Sequence, residues 1–194
     1  MKAVIFDYGG VLGGGSENFY RVLSNFLSAD LSTTSEEARK LVPQFQKGII
    51  NETQFWYKLT YRLKLPLPAN YLGKMQTWYS ANHRFNEDML HLSDRMRQKG
   101  YRTAVLSNTI PPHLSIWRSH IKTRGFSPVI ASCEVGMRKP EERIYRLAME
   151  KLRIGKDEGV YIDDEEEFLQ PARKVGLIPV LALDAKQVEV ELRE

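Results

Sequence analysis

The sequence predicts an α/β protein: a doubly wound, Rossmann-like parallel sheet of five strands, with a small helical insert after the first strand. Three observations carry this expectation. Five short apolar runs, rich in β-branched residues and bounded by turn residues, fit parallel strands covered on both faces. Helical patterns separate the later runs, which calls for right-handed crossovers. The first run ends at Asp7, yet the second does not begin until about Tyr101, and the long stretch between is helical in pattern throughout.

Strand one is expected over residues 3–6 and runs straight into Asp7, after which five of the next eight residues are glycine. A nucleotide-phosphate loop is the usual reading of such a turn. No G-x-G-x-x-G passes through Gly9, Gly10, Gly13, Gly14 and Gly15, and no Gly-Lys-Ser/Thr follows, so neither the dinucleotide fingerprint nor the P-loop fits. The charge at the strand's end stands where an open α/β sheet presents a catalytic side chain.

In the insert, Phe19, Val22, Leu23, Phe26 and Leu27 keep the 3.6-residue period. Thr34 to Glu37 reads as a capping box ahead of Ala38, Leu41, Val42 and Phe45, with Pro43 expected to kink or shorten that helix. Asn51 can cap a helix carrying Phe55, Leu59 and Leu63. After Pro66 and Pro68, the pattern resumes with Tyr71, Leu72, Met75, Trp78 and Tyr79. Residues 16–82 therefore form one expected helical unit, lying over the strand ends, with residues 1–15 and 83–194 as the core. Trp56, Tyr57, Trp78 and Tyr79 are expected in the interior of the bundle, and the unit's position suits a lid that excludes water.

In the core, Asn86 reads as the cap of a helix striped by Met89, Leu92 and Met96 and closed by Gly100. Strands follow at 103–106, 129–131, 160–162 and 179–183. Pro140 is expected at a first-turn position, opening a helix with Ile144, Leu147, Ala148 and Leu152 on one face. A third helix over 165–175 stops at Gly176 and contains Pro171.

Composition narrows the function classes. The chain of 194 residues is long enough for one core and a small insert, and 42% hydrophobic with 27% charged residues is ordinary for a globular protein. A net charge of +4 suits an anionic small substrate, although a solvated surface with a slight Lys/Arg excess is the better explanation. No basic stripe interleaved with aromatics is present, so no nucleic-acid partner is expected. Cys133 is the only cysteine, which excludes an intrachain disulfide and a cysteine-based zinc site and points to a reducing cytoplasm. Neither a signal peptide nor a membrane-spanning run is expected.

Polar residues lie just past four predicted strand ends: Asp7, Ser107, Lys139 and the pair Asp163/Asp164. A carboxylate can attack phosphorus and form an aspartyl phosphate. Two or three carboxylates supply the hard oxygens that Mg²⁺ needs, and Lys and Ser can hold the remaining phosphoryl oxygens. Taken alone, the acidic run 163–167 also reads as a helix start favoured by the macrodipole. The glycines let the chain turn sharply beside a phosphoryl group and then hinge. His83, His91, His113 and His120 lack metal-ligand spacing and are expected at surface or packing positions; His83, at the end of the insert, is the one candidate substitute acid.

The runs "IFDYGGVL", "VLSNT", "GMRKPEERIY" and "YIDDEEEFLQPARKVG" together resemble the haloacid dehalogenase-like hydrolases, in motif order and across nearly the whole chain. The insert resembles that family's small helical C1-type cap, and the second and third runs resemble its α-glucose-1-phosphate phosphatases. The resemblance implies Asp7 as nucleophile and Mg²⁺ ligand, with the Gly9 carbonyl, Asp163 and above all Asp164 completing the metal site. It implies Gly10, Ser107, Asn108 and Lys139 around the phosphate of a small phosphorylated metabolite. Two positions depart from the pattern. Gly9 stands where most phosphatases of the family carry the Asp that protonates the leaving oxygen, a loss of ~10²–10⁴-fold on ordinary alkyl phosphates. Phe168 stands where a small polar residue is common. A metal-independent haloacid dehalogenase is the rival within the fold, opposed by the Asp163/Asp164 pair. A catalytically weak binding or regulatory protein is the rival outside it, favoured by Gly9 and Phe168.

Overall fold

The computed structural model describes residues 1–15 and 18–192. Five parallel strands form the central sheet: β1 (Ala3–Phe6), β4 (Arg102–Ser107), β5 (Val129–Ala131), β6 (Gly159–Asp163) and β7 (Ile178–Leu181), in the spatial order β5-β4-β1-β6-β7. β1 is central, with β4 and β6 on its two sides. The chain moves outward on one side, then returns beside β1, so the carboxyl ends of β1, β4 and β6 open on one crevice at the topological switch point.

Alternation along β1 builds two layers. Val4 and Phe6 face a cluster with Met89, Leu92, Val105, Trp117, Ile121 and Val188, under α5 (Glu87–Gln98), α6 (Pro111–Thr123) and α10 (Ala185–Glu191). Ala3 and Ile5 face Ala104, Leu106, Ile144, Tyr145, Ala172 and Val175, under α8 (Glu142–Leu152) and α9 (Glu166–Val175). The short α7 (Ser132–Val135) follows β5.

Between Gly15 and His83 the chain runs through α1 (Phe19–Leu27), α2 (Leu31–Gln46), α3 (Glu52–Leu63) and α4 (Lys74–Asn82). These share a cluster of their own, with Leu23, Leu41, Phe45, Phe55, Trp56, Leu59 and Met75, joined from the core, among the described residues, by Ile110. Residues 16 and 17, where the expected insert begins, lie outside the described residues.

Several local expectations are corrected. Gly13–Gly15 is not only a hinge: it forms β2, paired antiparallel with β3 (His83–Phe85), so the two ends of the insert meet as a two-stranded ribbon. α2 begins at Leu31, where the Asp30 side chain accepts from Thr33 N at 2.8 Å; Thr34 is buried inside the helix and heads no capping box. Pro43 sits near the end of α2, and the helix runs on to Gln46. Pro140 precedes α8 rather than opening it. The last strand ends at Leu181, leaving Leu183 exposed. Tyr57, expected in the bundle interior, is 56% exposed. The helices α6 and α10 were not singled out in the sequence, although Leu114, Trp117 and Ile121 carry the helical spacing in α6.

Candidate active site

Parallel pairing aligns the site. Phe6 is level with Ile162, and Asp7 N donates to Ile162 O at 2.8 Å, so Asp7 and Asp163 leave their strands side by side. Lys139, on the segment before α8, reaches between them. Its ammonium lies 2.8 Å from Asp7 Oδ1 and 2.7 Å from Asp163 Oδ2, and all three residues are buried. Burial pulls the Lys139 ammonium down, but Asp7 and Asp163 together outweigh it and leave its pKa raised. The ammonium also stands 4.6 Å over the Phe168 ring, so the departure at Phe168 supplies an aromatic face to the cation.

Asp163 is fully engaged. Lys139 and the Tyr161 hydroxyl donate to Oδ2, and Glu165 N donates to Oδ1 at 3.0 Å in the turn that leads into α9. Asp7 is not. Its Oδ1 is buried, and the Lys139 ammonium is its one partner among the described residues. Burial, assisted by the Asp163 charge and opposed by Lys139, pushes the Asp7 carboxyl up to about 7. Asp164 is the exposed member; burial of its carboxyl and the neighbouring Asp163 raise its pKa. Asp7, Asp163 and Asp164 each offer an oxygen within 4.8 Å of the others. One ammonium thus faces three carboxylates, two of them with raised pKa. This donor set fits a hard divalent cation.

Gly10 has φ +76°, and a Cβ there would run into the Asp164 carboxylate. Glycine is required at this position both for its backbone and for the approach of the acid. Gly9 has ordinary backbone and open space: the nearest atom to a Cβ is Asp7 Oδ2, at 3.9 Å.

Ser107 ends β4, buried, at the wall of a pocket it shares with Gly9, Gly10, Asn108 and Glu165. The Asn108 amide is taken up by the Lys139 backbone. Its Nδ2 donates to Lys139 O at 3.0 Å, and its Oδ1 accepts from Lys139 N at 2.8 Å, so both ends of the amide hold the lysine's backbone. The sequence carried no sign of this role, which depends on a loop thirty-one residues away.

The same pocket is walled by residues that the sequence placed elsewhere. Trp78, Tyr79 and His113 line it, with Tyr8, Phe19 and Trp117. Tyr79 stacks on His113 with centroids 3.9 Å apart and belongs to the core's cluster, not the insert's. His113 Nε2 is buried without a partner among the described residues, and burial pulls the ring's pKa down to about 3, so it is neutral. His83 is buried with its Nε2 hydrogen-bonded to the Tyr8 hydroxyl, does not line this pocket, and has its pKa lowered by burial.

Bifunctional epoxide hydrolase 2 of Rattus norvegicus is 28% identical over 141 residues, covering 66% of this chain and 24% of its own. The chain thus spans about a quarter of that relative's length. A sesquiterpene phosphatase of Aspergillus oryzae is 26% identical over 196 residues, covering 100% of this chain and 96% of its own. The structure of a haloacid dehalogenase family enzyme from Bacteroides thetaiotaomicron, complexed with magnesium and inorganic phosphate, superposes with a TM-score of 0.73 at 23% identity, over 93% of each chain. That likeness shows the fold. The family described as haloacid dehalogenase-like hydrolase matches residues 1–176, nine-tenths of the sequence and every strand end described above but that of β7, and the chain belongs to that family of hydrolases.

Proposed function

We propose that this hydrolase is a Mg²⁺-dependent phosphomonoesterase acting on a small phosphorylated metabolite, with Asp7 as its nucleophile. The observation that carries the reading is the cluster of Asp7, Asp163 and Asp164 around one buried ammonium. A metal-free dehalogenase gains nothing from two further carboxylates beside its nucleophile, whose mutual repulsion is costly where they are buried. The sesquiterpene phosphatase and the magnesium and phosphate complex among the similar proteins support the same reading.

Asp7, Asp164 and the Gly9 carbonyl would hold the cation, with Asp163 steadying Lys139 beside them. When bound, the cation neutralises phosphoryl oxygens and disperses the charge of the transition state. An Asp7 carboxylate oxygen forms a bond to phosphorus as the bond to the ester oxygen breaks; water then cleaves the acyl phosphate and returns the carboxylate. Lys139 and the Ser107 hydroxyl hold non-bridging oxygens, with Gly10 giving them room. Asn108 positions Lys139. Gly9 supplies no acid, so the leaving oxygen takes its proton from solvent. Residues 16–82 serve as a cap over residues 1–15 and 83–194. Among the described residues no helix is long and apolar enough to cross a membrane, and neither a membrane nor a nucleic acid is proposed as a partner.

Phosphate release from a panel of phosphomonoesters, with Mg²⁺ and with EDTA, tests the reading. Release that needs Mg²⁺ is expected. Chloride release from 2-chloroacids in EDTA would replace it with dehalogenation, and neither activity would leave a binding protein.

A further inference from the structure

A second cavity, of about 460 Å³, lies inside the insert between α1, α3, α4 and the start of α6. Its floor is Leu23, Trp56 and Met75, all buried. Its polar members stand elsewhere: Asn25, Lys74 and Thr77 are exposed at the rim, and the Asn82 amide is turned back onto Trp78 O at 2.9 Å. Phe19, Trp78 and His113 line both this cavity and the pocket that holds Gly10 and Ser107. The pocket beside Gly10 and Ser107 and the apolar chamber are therefore neighbours on the two sides of an aromatic neck formed by these three residues. The volume is within the ~300–1,000 Å³ of small-molecule sites.

We propose that the substrate is a phosphomonoester of an apolar alcohol, whose hydrocarbon tail occupies this chamber while its phosphate lies at Asp7 and Lys139. The proposal rests on the phosphatase reading above and narrows it. A sugar's hydroxyl groups would meet Leu23, Trp56 and Met75 on the chamber floor and lose hydrogen bonds to water without replacement, which is costly. A hydrocarbon tail leaves water and loses nothing. His113 fits the neck for the same reason: burial keeps its ring uncharged, so it borders the tail without a desolvated charge.

Each methylene taken fully from water into such a site is worth roughly fourfold in binding. In a series of straight-chain alkyl monophosphates, below their micellar concentrations and with saturating Mg²⁺, kcat/KM is expected to rise roughly three- to fourfold per added carbon until the chamber is full. Glucose 1-phosphate should fall below the longer esters. Because Gly9 supplies no acid, the slope with chain length is the readout rather than the absolute rate. Val22→Trp and Ala81→Trp fill the chamber from positions outside the catalytic residues; Val22 is half-buried on α1 and Ala81 exposed on α4. Each should flatten the slope and leave ethyl phosphate unchanged. A second readout needs neither metal nor turnover: alkylphosphonates of increasing length should quench tryptophan fluorescence with affinities that follow the same slope, since Trp56 and Trp78 line the chamber. Chain-length-independent turnover and binding, with phosphate still released, would overturn the tail and leave the phosphatase standing. No phosphate release from any ester, with length-dependent phosphonate binding intact, would overturn the phosphatase reading, and the proposed ester with it.

Discussion

At position 9 the backbone has room for a side chain that the sequence does not supply. Gly9 lies outside the left-handed region, and a Cβ would point into open space 3.9 Å from Asp7 Oδ2. An acid there would stand beside the nucleophile, where a leaving oxygen needs a proton. Gly9→Asp should therefore raise the ratio of turnover on a primary alkyl phosphate to that on an anomeric phosphate, by no more than the ~10²–10⁴-fold of a general acid. A flat or falling ratio in folded, Mg²⁺-saturated variant would show that the missing acid does not limit this enzyme. Asn108 makes a different prediction. It holds Lys139 by two backbone hydrogen bonds and acts through it. Asn108→Ala should lower kcat, by up to ~10²-fold if the lysine moves by about an ångström, while KM changes little. A rise confined to KM, with kcat unchanged, would instead make Asn108 a direct phosphate ligand. The convergence of Asp7, Lys139, Asp163 and Asp164 was legible in the sequence because each follows a strand whose end the sheet fixes. The roles of Asn108, Tyr79 and His113 were not, because each depends on packing between segments distant in the chain.

Among the elements, the buried strands were the most legible, since β-branched runs such as that of β1 admit one reading. The ribbon of β2 and β3 was the least. Three consecutive glycines carry no strand propensity, and their partner, His83–Phe85, lies across the whole insert. Asn86 is one tie between the ribbon and the core, beside the His83–Tyr8 hydrogen bond. Its Oδ1 caps α5 by accepting from Met89 N at 3.2 Å, and its Nδ2 donates to Val11 O at 3.0 Å. The cap was legible and the second bond was not. Asn51, by contrast, caps α3 only, in a reciprocal capping box with Gln54. Asn51→Ala should cost the ~1 kcal/mol of a lost cap. Asn86→Ala should cost about 1 kcal/mol more, the worth of one further hydrogen bond. Urea unfolding of the two variants checks this; equal losses would mean that the ribbon is held without Asn86. The false capping box at Thr34 has a simple cause: Asp30, four residues earlier, is the stronger cap, and the helix takes the earlier start.

At the scale of the molecule, three apolar clusters divide the work. Two sandwich the sheet and fix the strand ends; the third belongs to the insert and leaves a chamber inside it. The insert is closed onto the core beside Lys139. Lys47 pairs with Glu141 at 2.6 Å, Arg138 Nε donates to Gln46 Oε1 at 3.0 Å, and the backbone at Gly48 approaches Cys133 O so closely that only glycine fits there. Such half-buried pairs contribute little energy each; their effect is to seat the end of α2 next to Lys139, over the crevice. The central claim is that this crevice is a phosphatase site whose nucleophile is Asp7. The most direct measurement is phosphate release by Asp7→Asn beside the unaltered protein, with Mg²⁺ saturating and thermal melts recorded on both. The amide is nearly isosteric but is a poor nucleophile. The expected result is release at background with a cooperative melt retained. A folded Asp7→Asn that keeps a substantial fraction of wild-type release would contradict the assignment.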